Sequence, residues 1–261
     1  MGGTTYHWGQ RVVPYLKNKS NGLSFIVFAR NESHDFLETL ECLRILGERL
    51  EFPIEIVAID DGSADQTFRH LEGYFESRGN PYLIQIIWQP PLGISHAISE
   101  GLKHISYEKC IPIPGHYMFD ATGLYDLVIQ ANSADVVIGF RSNLSKERPM
   151  GKYLAAKILK WLFYVLISKD VVDPHGLIIY PSSLLREVLN SNMEHENHIR
   201  VLACAVGRRL NILNLPVPIR TGHKARSRER GRPSAPRMVH LRAGIRELYF
   251  ARKFKNSQIE A

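Results

Sequence analysis

The feature that most constrains this chain is a run of short apolar segments, each followed by a polar turn and an amphipathic stretch. Leu23 to Ala29, Ile54 to Ile59, Tyr82 to Trp88, Cys110 to Ile113 and Val136 to Phe140 each read as a buried strand. Helices are predicted between them: from Ser33 or Asp35 with Phe36, Leu37, Leu40, Leu43 and Leu46 at helical spacing, then Ala64–Phe75, Gly93–His104 and Thr122–Gln130. Strands alternating with helices of this length imply an α/β fold, a mostly parallel sheet with helices on both faces. Ligands of such sheets bind beyond the carboxyl ends of the strands. That rule points at Phe28–Glu32, Asp60–Ser63, Pro114–His116 and Arg141.

The second half is less regular. An apolar helix punctuated by lysines is predicted over Lys152–Ile167, then Asp173-Pro174-His175-Gly176 and a short strand Leu177–Tyr180. Helices over Ser183–Leu189 and Ile199–Gly207, a strand Leu210–Val217 and an amphipathic helix Arg237–Phe254 complete the reading. The organisation expected is a polar leader (1–22), one α/β domain (23–217) and a basic extension (218–261). The leader has no apolar core of a secretory signal. The apolar helix carries Lys157 and Lys160 and would span about 24 Å, short of a bilayer core of about 30 Å. Cys42, Cys110 and Cys204 lie far apart, as buried thiols of a reducing cytoplasm do.

Charge is unevenly placed. The chain holds 33 Lys+Arg and 26 Asp+Glu, for a net +7; residues 220–255 hold 12 and 2 of these, leaving 21 and 24 elsewhere. A basic extension on a slightly acidic body indicates an anionic partner. Arg226, Arg228, Arg230 and Arg232 alternate in a Pro-flanked stretch, and Arg242, Arg246 and Lys253 fall beside the apolar face of the following helix. That pattern favours an anionic membrane surface over nucleic acid.

Among the turns, Asp60-Asp61-Gly62-Ser63 is the strongest signal. Adjacent carboxylates repel, so helix capping alone is a weak reason for both; Asp61 is expected to accept a base N–H while the turn positions a nucleotide. Asp120 reads as a helix cap, and Glu194, His195, Glu196 and His198 as a solvated helix start.

Taken together, SFIVFARNE (24–32), IEIVAIDDGSADQT (54–67), GISHAISEGLKHI (93–105), ADVVIGFRSN (134–143) and DPHGLIIY (173–180) resemble, in order and spacing, the family 2 glycosyltransferases of GT-A fold. The branch most resembled holds dolichyl-phosphate mannose synthase and bacterial polyprenyl-phosphate sugar synthases. The resemblance implies a Rossmann-like nucleotide-diphospho-sugar transferase. It would use a UDP or GDP sugar, a polyprenyl-phosphate acceptor, inversion at the anomeric carbon, and the cytoplasmic face of a membrane. Nucleotide contacts are implied for Phe28, Ala29, Asn31, Glu32, Asp60, Asp61, Ser63, Gly93 and His96. Asp173, His175, Arg228, Arg230 and Ser234 are implied at the acceptor, with Arg141 beside phosphate and catalytic together with His116.

The chain departs from the family where the DxD metal motif should follow the fourth strand: Pro114-Gly115-His116 stands there. A carboxylate-held Mg²⁺ or Mn²⁺ normally neutralises the leaving diphosphate. Imidazole is a poor Mg²⁺ ligand and an acceptable one for Mn²⁺. Three outcomes are therefore open: His116 ligates a metal with the diphosphate, His116 as imidazolium replaces the metal, or transfer is lost and the chain is a nucleotide- or partner-binding homologue. A third class, a nucleic-acid-binding protein acting through the basic tail, predicts steeply salt-dependent oligonucleotide binding.

Overall fold

The computed structural model describes residues 21–78, 80–116, 119–143, 150–191, 198–220, 248–249, 251–253 and 255–256. The chain divides into two compact units, one of residues 1–117 and 179–195, the other of residues 118–178 and 196–261.

In the first unit β1 (Leu23–Ala29), β2 (Ile54–Asp61), β3 (Leu83–Gln89) and β4 (Lys109–Pro114) form a parallel sheet in the order β3-β2-β1-β4. Every residue of β2 is buried, as expected of a central strand covered on both faces. That burial includes Glu55, whose carboxylate accepts from Ser24 Oγ at 2.6 Å and from the backbone N–H of Ser106 at 2.5 Å. The helices are α1 (Ser33–Arg49), α2 (Thr67–Arg78) and α3 (Ile94–Leu102). Phe36, Leu40, Leu43 and Leu46 of α1 are buried as the periodicity predicts, and Leu37 is half-buried. Asp35 in its first turn and Arg49 in its last suit the helix dipole.

The strand β6 (Leu177–Pro181) runs against its neighbour in this mostly parallel sheet. It pairs antiparallel to β4, Lys109 with Pro181 and Cys110 with Tyr180, and leads into α6 (Ser182–Ser191). Ser182 ties this return down by donating its hydroxyl to the Tyr107 carbonyl at 3.0 Å.

In the second unit β5 (Val136–Arg141) and β7 (Ile212–Val217) pair in parallel, with α4 (Ala121–Ile129) packed on both. Asp120 caps α4 as expected, accepting from the N–H groups of Thr122 at 3.0 Å and Gly123 at 3.2 Å. The helices α5 (Met150–Leu166) and α7 (His198–Gly207) complete the unit. Among the described residues no helix is long and apolar enough to cross a membrane.

Most of the basic extension lies outside the described residues, including Arg228, Arg230 and Ser234. So do Glu194, His195 and Glu196. Of the expected C-terminal helix, Leu248 and Ala251 are buried, whereas Tyr249 is exposed. The cysteines form no disulfide; Cys110 and Cys204 are buried, but Cys42 is half-exposed on α1.

Candidate active site

Three turns at the carboxyl ends of β1, β2 and β4 are laced together by side chains. Asn31, in the left-handed region with φ 55°, donates its backbone N–H to Ser63 Oγ at 2.8 Å, and its Oδ1 accepts from Ala64 N–H at 2.7 Å. Asparagine tolerates that conformation better than most residues, which suits it to this corner. Ser63 turns back to Asp60, donating both N–H and Oγ–H to Oδ1 at 2.9 and 2.5 Å. Glu32 N–H donates to Thr67 Oγ1 at 3.1 Å, joining the first turn to the start of α2. The third turn is held just as closely. Gly115 N–H donates to the Phe28 carbonyl at 2.8 Å, and the Gly115 carbonyl accepts from Thr39 Oγ1 at 3.0 Å. A Cβ at Gly115 would lie 2.8 Å from that of Ala29, so only glycine permits this approach.

The two aspartates of the second turn have different tasks. Asp61, expected to receive a base N–H, is a structural hub in the protein. Its carboxylate accepts from Gln89 Nε2 at 2.6 Å, Leu92 N–H at 3.0 Å and Gly93 N–H at 3.0 Å. The reason is the length of β2, which runs two residues past Ile59 and carries Asp61 beside Gln89 at the end of β3. Asp60 keeps Oδ2 buried without a hydrogen-bond partner. Burial pushes its carboxyl above the usual carboxylate range, against the opposing hydrogen bonds from Ser63. Gly93, with φ 98°, opens α3, and His96 sits half-buried on its first turn.

His116 meets Glu32. The imidazole Nδ1 lies 3.4 Å from Glu32 Oε2, with Glu32 buried and His116 half-exposed. Two atoms each about 2.1 Å from one metal ion are roughly 3.0 to 3.4 Å apart, so the pair has the span of a coordination edge. Among the described residues no three His, Cys, Asp or Glu side chains gather at metal-holding distance. The pair would need further ligands from a bound diphosphate and water.

In the second unit Arg141 and Asp173 form a buried bidentate pair: Nε to Oδ2 at 2.7 Å and Nη2 to Oδ1 at 2.9 Å, with Arg141 N–H on Oδ2 at 3.2 Å. Asp173 thus occupies the Nε–Nη2 edge of the Arg141 fork. The Nη1 edge has no partner among the described residues. Asp173 also receives the His175 N–H on Oδ1 at 3.1 Å, an Asx turn that leaves the His175 side chain exposed.

Sequence reasoning passed over Gln89 and Thr67. The end-of-strand rule applied to β3 as well would have found Gln89. Thr67 stands inside the DDGSADQT segment, where it read as helix interior rather than as the first residue of α2.

The fold defined by these elements is that of the GT-A nucleotide-sugar transferases. Similar solved structures include glucosyl-3-phosphoglycerate synthase from Mycobacterium tuberculosis in complex with Mn²⁺, UDP and phosphoglyceric acid (TM-score 0.61, 15% identity, covering 89% of this chain and 78% of that one). The mannosyltransferase PcManGT from Pyrobaculum calidifontis, in complex with GDP-Man and Mn²⁺, is similar over 96% of this chain and 77% of that one (TM-score 0.52, 16% identity). S. aureus TarS 1–349 is similar over 74% and 58% (TM-score 0.51, 20% identity). No curated protein matches the chain. The family described as Glycosyl transferase family 2 matches residues 24–209, and the chain belongs to that family.

Proposed function

We propose that the protein transfers a sugar from a UDP or GDP sugar to a lipid-linked phosphate, as in the polyprenyl-phosphate branch of the family. The observation that carries the reading is the lacing of the three turns around Asp60, Asn31 and the His116–Glu32 pair, at the strand ends where such folds bind nucleotides. Phe28, Ala29, Asn31, Glu32, Asp60, Ser63, Gly93 and His96 contact the nucleotide. Asp60 Oδ2, lacking a donor in the structure, takes the base N–H that the sequence reading assigned to Asp61. Similar structures bound to UDP or GDP-Man together with Mn²⁺ support a nucleotide-sugar donor and a divalent metal.

The reaction asks little acid–base chemistry of the protein. A phosphate oxygen of the acceptor, already ionised near neutral pH, forms the new bond to the anomeric carbon on the face opposite the leaving group. The bond from that carbon to the diphosphate oxygen breaks, and the nucleoside diphosphate leaves with the electron pair. The configuration inverts, and no general base is required. When bound, a metal neutralises charge on the departing diphosphate. His116 and Glu32 are the residues that would hold it, with Mn²⁺ preferred to Mg²⁺ because one donor is imidazole nitrogen. The acceptor phosphate is assigned to the second unit: the Nη1 edge of Arg141, oriented by Asp173, together with His175, Arg228, Arg230 and Ser234.

One observation favours a second reading, a nucleotide-binding homologue without transfer: the metal motif has no acid of its own at Pro114-Gly115-His116. Calorimetric titration of UDP- and GDP-sugars with and without Mn²⁺, on wild type and His116→Ala, tests donor binding, and release of nucleoside diphosphate on adding a polyprenyl phosphate separates the two. Release that depends on the acceptor and falls in His116→Ala supports transfer, and Mn²⁺-tightened donor binding without release supports the binding homologue. Absence of donor binding under all conditions overturns transfer.

A further inference from the structure

The helix α5 turns an apolar face outward. Trp161 is 62% exposed, Val165 57%, Tyr164 54% and Ile158 42%, while Phe163 and Ile167, on the other side, are buried. The exposed residues are one patch rather than scattered singles. Ile158 and Lys157 precede Trp161 by three and four positions, and Tyr164 and Val165 follow it by three and four. All four therefore surround the indole on the helix surface. Lys157 and Lys160 are exposed on the same helix, and Lys169 just beyond it. From Met150 to Leu166 the helix has no acidic residue. The one carboxylate close behind, Asp170, accepts a hydrogen bond from Ser168 Oγ at 2.9 Å.

Contiguous exposed apolar patches mark an interaction surface, and composition says of which kind. Protein interfaces are depleted in lysine. A tryptophan and a tyrosine on a helix whose charged residues are all lysines is instead the composition of a helix lying at a bilayer surface. Of the basic extension, Lys255 donates to the Ile167 carbonyl just past the helix, yet Trp161, Tyr164 and Val165 stay exposed; residues 220–255, with 12 Lys+Arg against 2 Asp+Glu, would set like charge against the lysines if they covered the patch. A spanning role is excluded by the burial of the opposite side of the helix.

We propose that the face of α5 centred on Trp161 is the membrane-docking surface of this protein, with Trp161, Tyr164, Val165 and Ile158 at the headgroup–acyl boundary of an anionic bilayer. Lys160 lies on lipid phosphates. The inference deepens the lipid-linked acceptor reading and rests on it for biological sense, though the docking itself is measured without any transfer.

The full chain is tested for co-sedimentation with phosphatidylcholine vesicles, with and without phosphatidylglycerol. Quenching of tryptophan fluorescence by bromine-labelled acyl chains is recorded in parallel, with Trp161→Phe to assign the signal. Wild type partitions onto the anionic vesicles, Trp161 is quenched, and Trp161→Glu combined with Val165→Glu weakens partitioning by roughly tenfold or more. Both side chains are exposed, so the melting temperature and the donor binding of the double variant stay at wild-type values. A second variant, with Arg226, Arg228, Arg230 and Arg232 replaced by Gln, keeps the Trp161 quenching. The proposal is overturned if wild type ignores anionic vesicles or if Trp161 is not quenched. It is equally overturned if the glutamate variant partitions like wild type or merely converts a dimer to a monomer. Loss of donor binding with vesicle docking intact would instead sink the transferase reading alone.

Discussion

Arg141 and Asp173, 32 residues apart in sequence, meet with both carboxylate oxygens accepting from the guanidinium fork. Their side chains are 7% and 9% exposed, so the pair lies in a medium where an unpaired partner is costly. Burial alone would raise the Asp173 carboxyl, but the hydrogen bonds and charge of Arg141 more than offset it and hold the group below the usual carboxylate range.

Breaking this pair should therefore destabilise the protein by about 3 kcal/mol, the scale for stranding one member of a buried ion pair. Asp173→Ala is the variant and urea denaturation the measurement. The pH dependence has a definite sign. A depressed folded pKa contributes stability that is fully present above the unfolded value, about 3.9 for Asp, and is lost as pH falls through the lower folded value. Wild type should show this loss in acid titrations below about pH 4, and Asp173→Ala should not.

Asp60 has the opposite sign. Its raised folded pKa means that the stability it contributes is present at low pH and disappears as pH rises through the folded value. Asp60→Asn, which keeps the Oδ1 acceptor for Ser63, should raise stability at neutral pH by roughly 1 kcal/mol. The same change should weaken nucleotide-sugar binding. Thermal melts with and without donor show both effects; a variant less stable than wild type at neutral pH would contradict the account.

An acid at position 116 should alter metal choice if His116 and Glu32 hold the ion as proposed. His116→Asp supplies a hard oxygen ligand next to Glu32 and should bring Mg²⁺-supported donor binding up toward the Mn²⁺ level. Calorimetry of donor binding with each ion checks this. An unchanged ratio of Mn²⁺ to Mg²⁺ affinity would show that the position does not touch the metal.

Much of the fold is legible in the residues, because buried parallel strands are nearly continuous apolar runs and their polar ends are abrupt. Phe25 to Phe28 and Ile56 to Ile59 could hardly be anything else. The direction of β6 was not legible, since Leu177 to Tyr180 is apolar throughout and such a run has no polarity along the chain. Which of Asp60 and Asp61 ties to Gln89 was not legible for a related reason. Adjacent residues on a strand point to opposite faces, and nothing local says which face meets Gln89 and the Gly93 amide. The Arg141–Asp173 pair, made by residues far apart in sequence, leaves no local trace.

Gly176 offers a test of that second unit. A Cβ there would stand 2.1 Å from the Gly139 carbonyl oxygen, a backbone atom that cannot swing aside. Gly176→Ala should cost about 1–3 kcal/mol through this overpacking, read as a lowered denaturation midpoint at unchanged m-value. Because the Asp173–His175 turn immediately precedes it, the variant should also lose acceptor affinity in excess of donor affinity.

The Asp61 hub has a kinetic consequence. With its carboxylate already filled by Gln89, Leu92 and Gly93, the entry to α3 is tied to the second turn before any ligand arrives. If a donor binds at these strand ends as proposed, the entry to α3 needs no ordering on its arrival, and differences in affinity between donors should appear mainly in their dissociation rates.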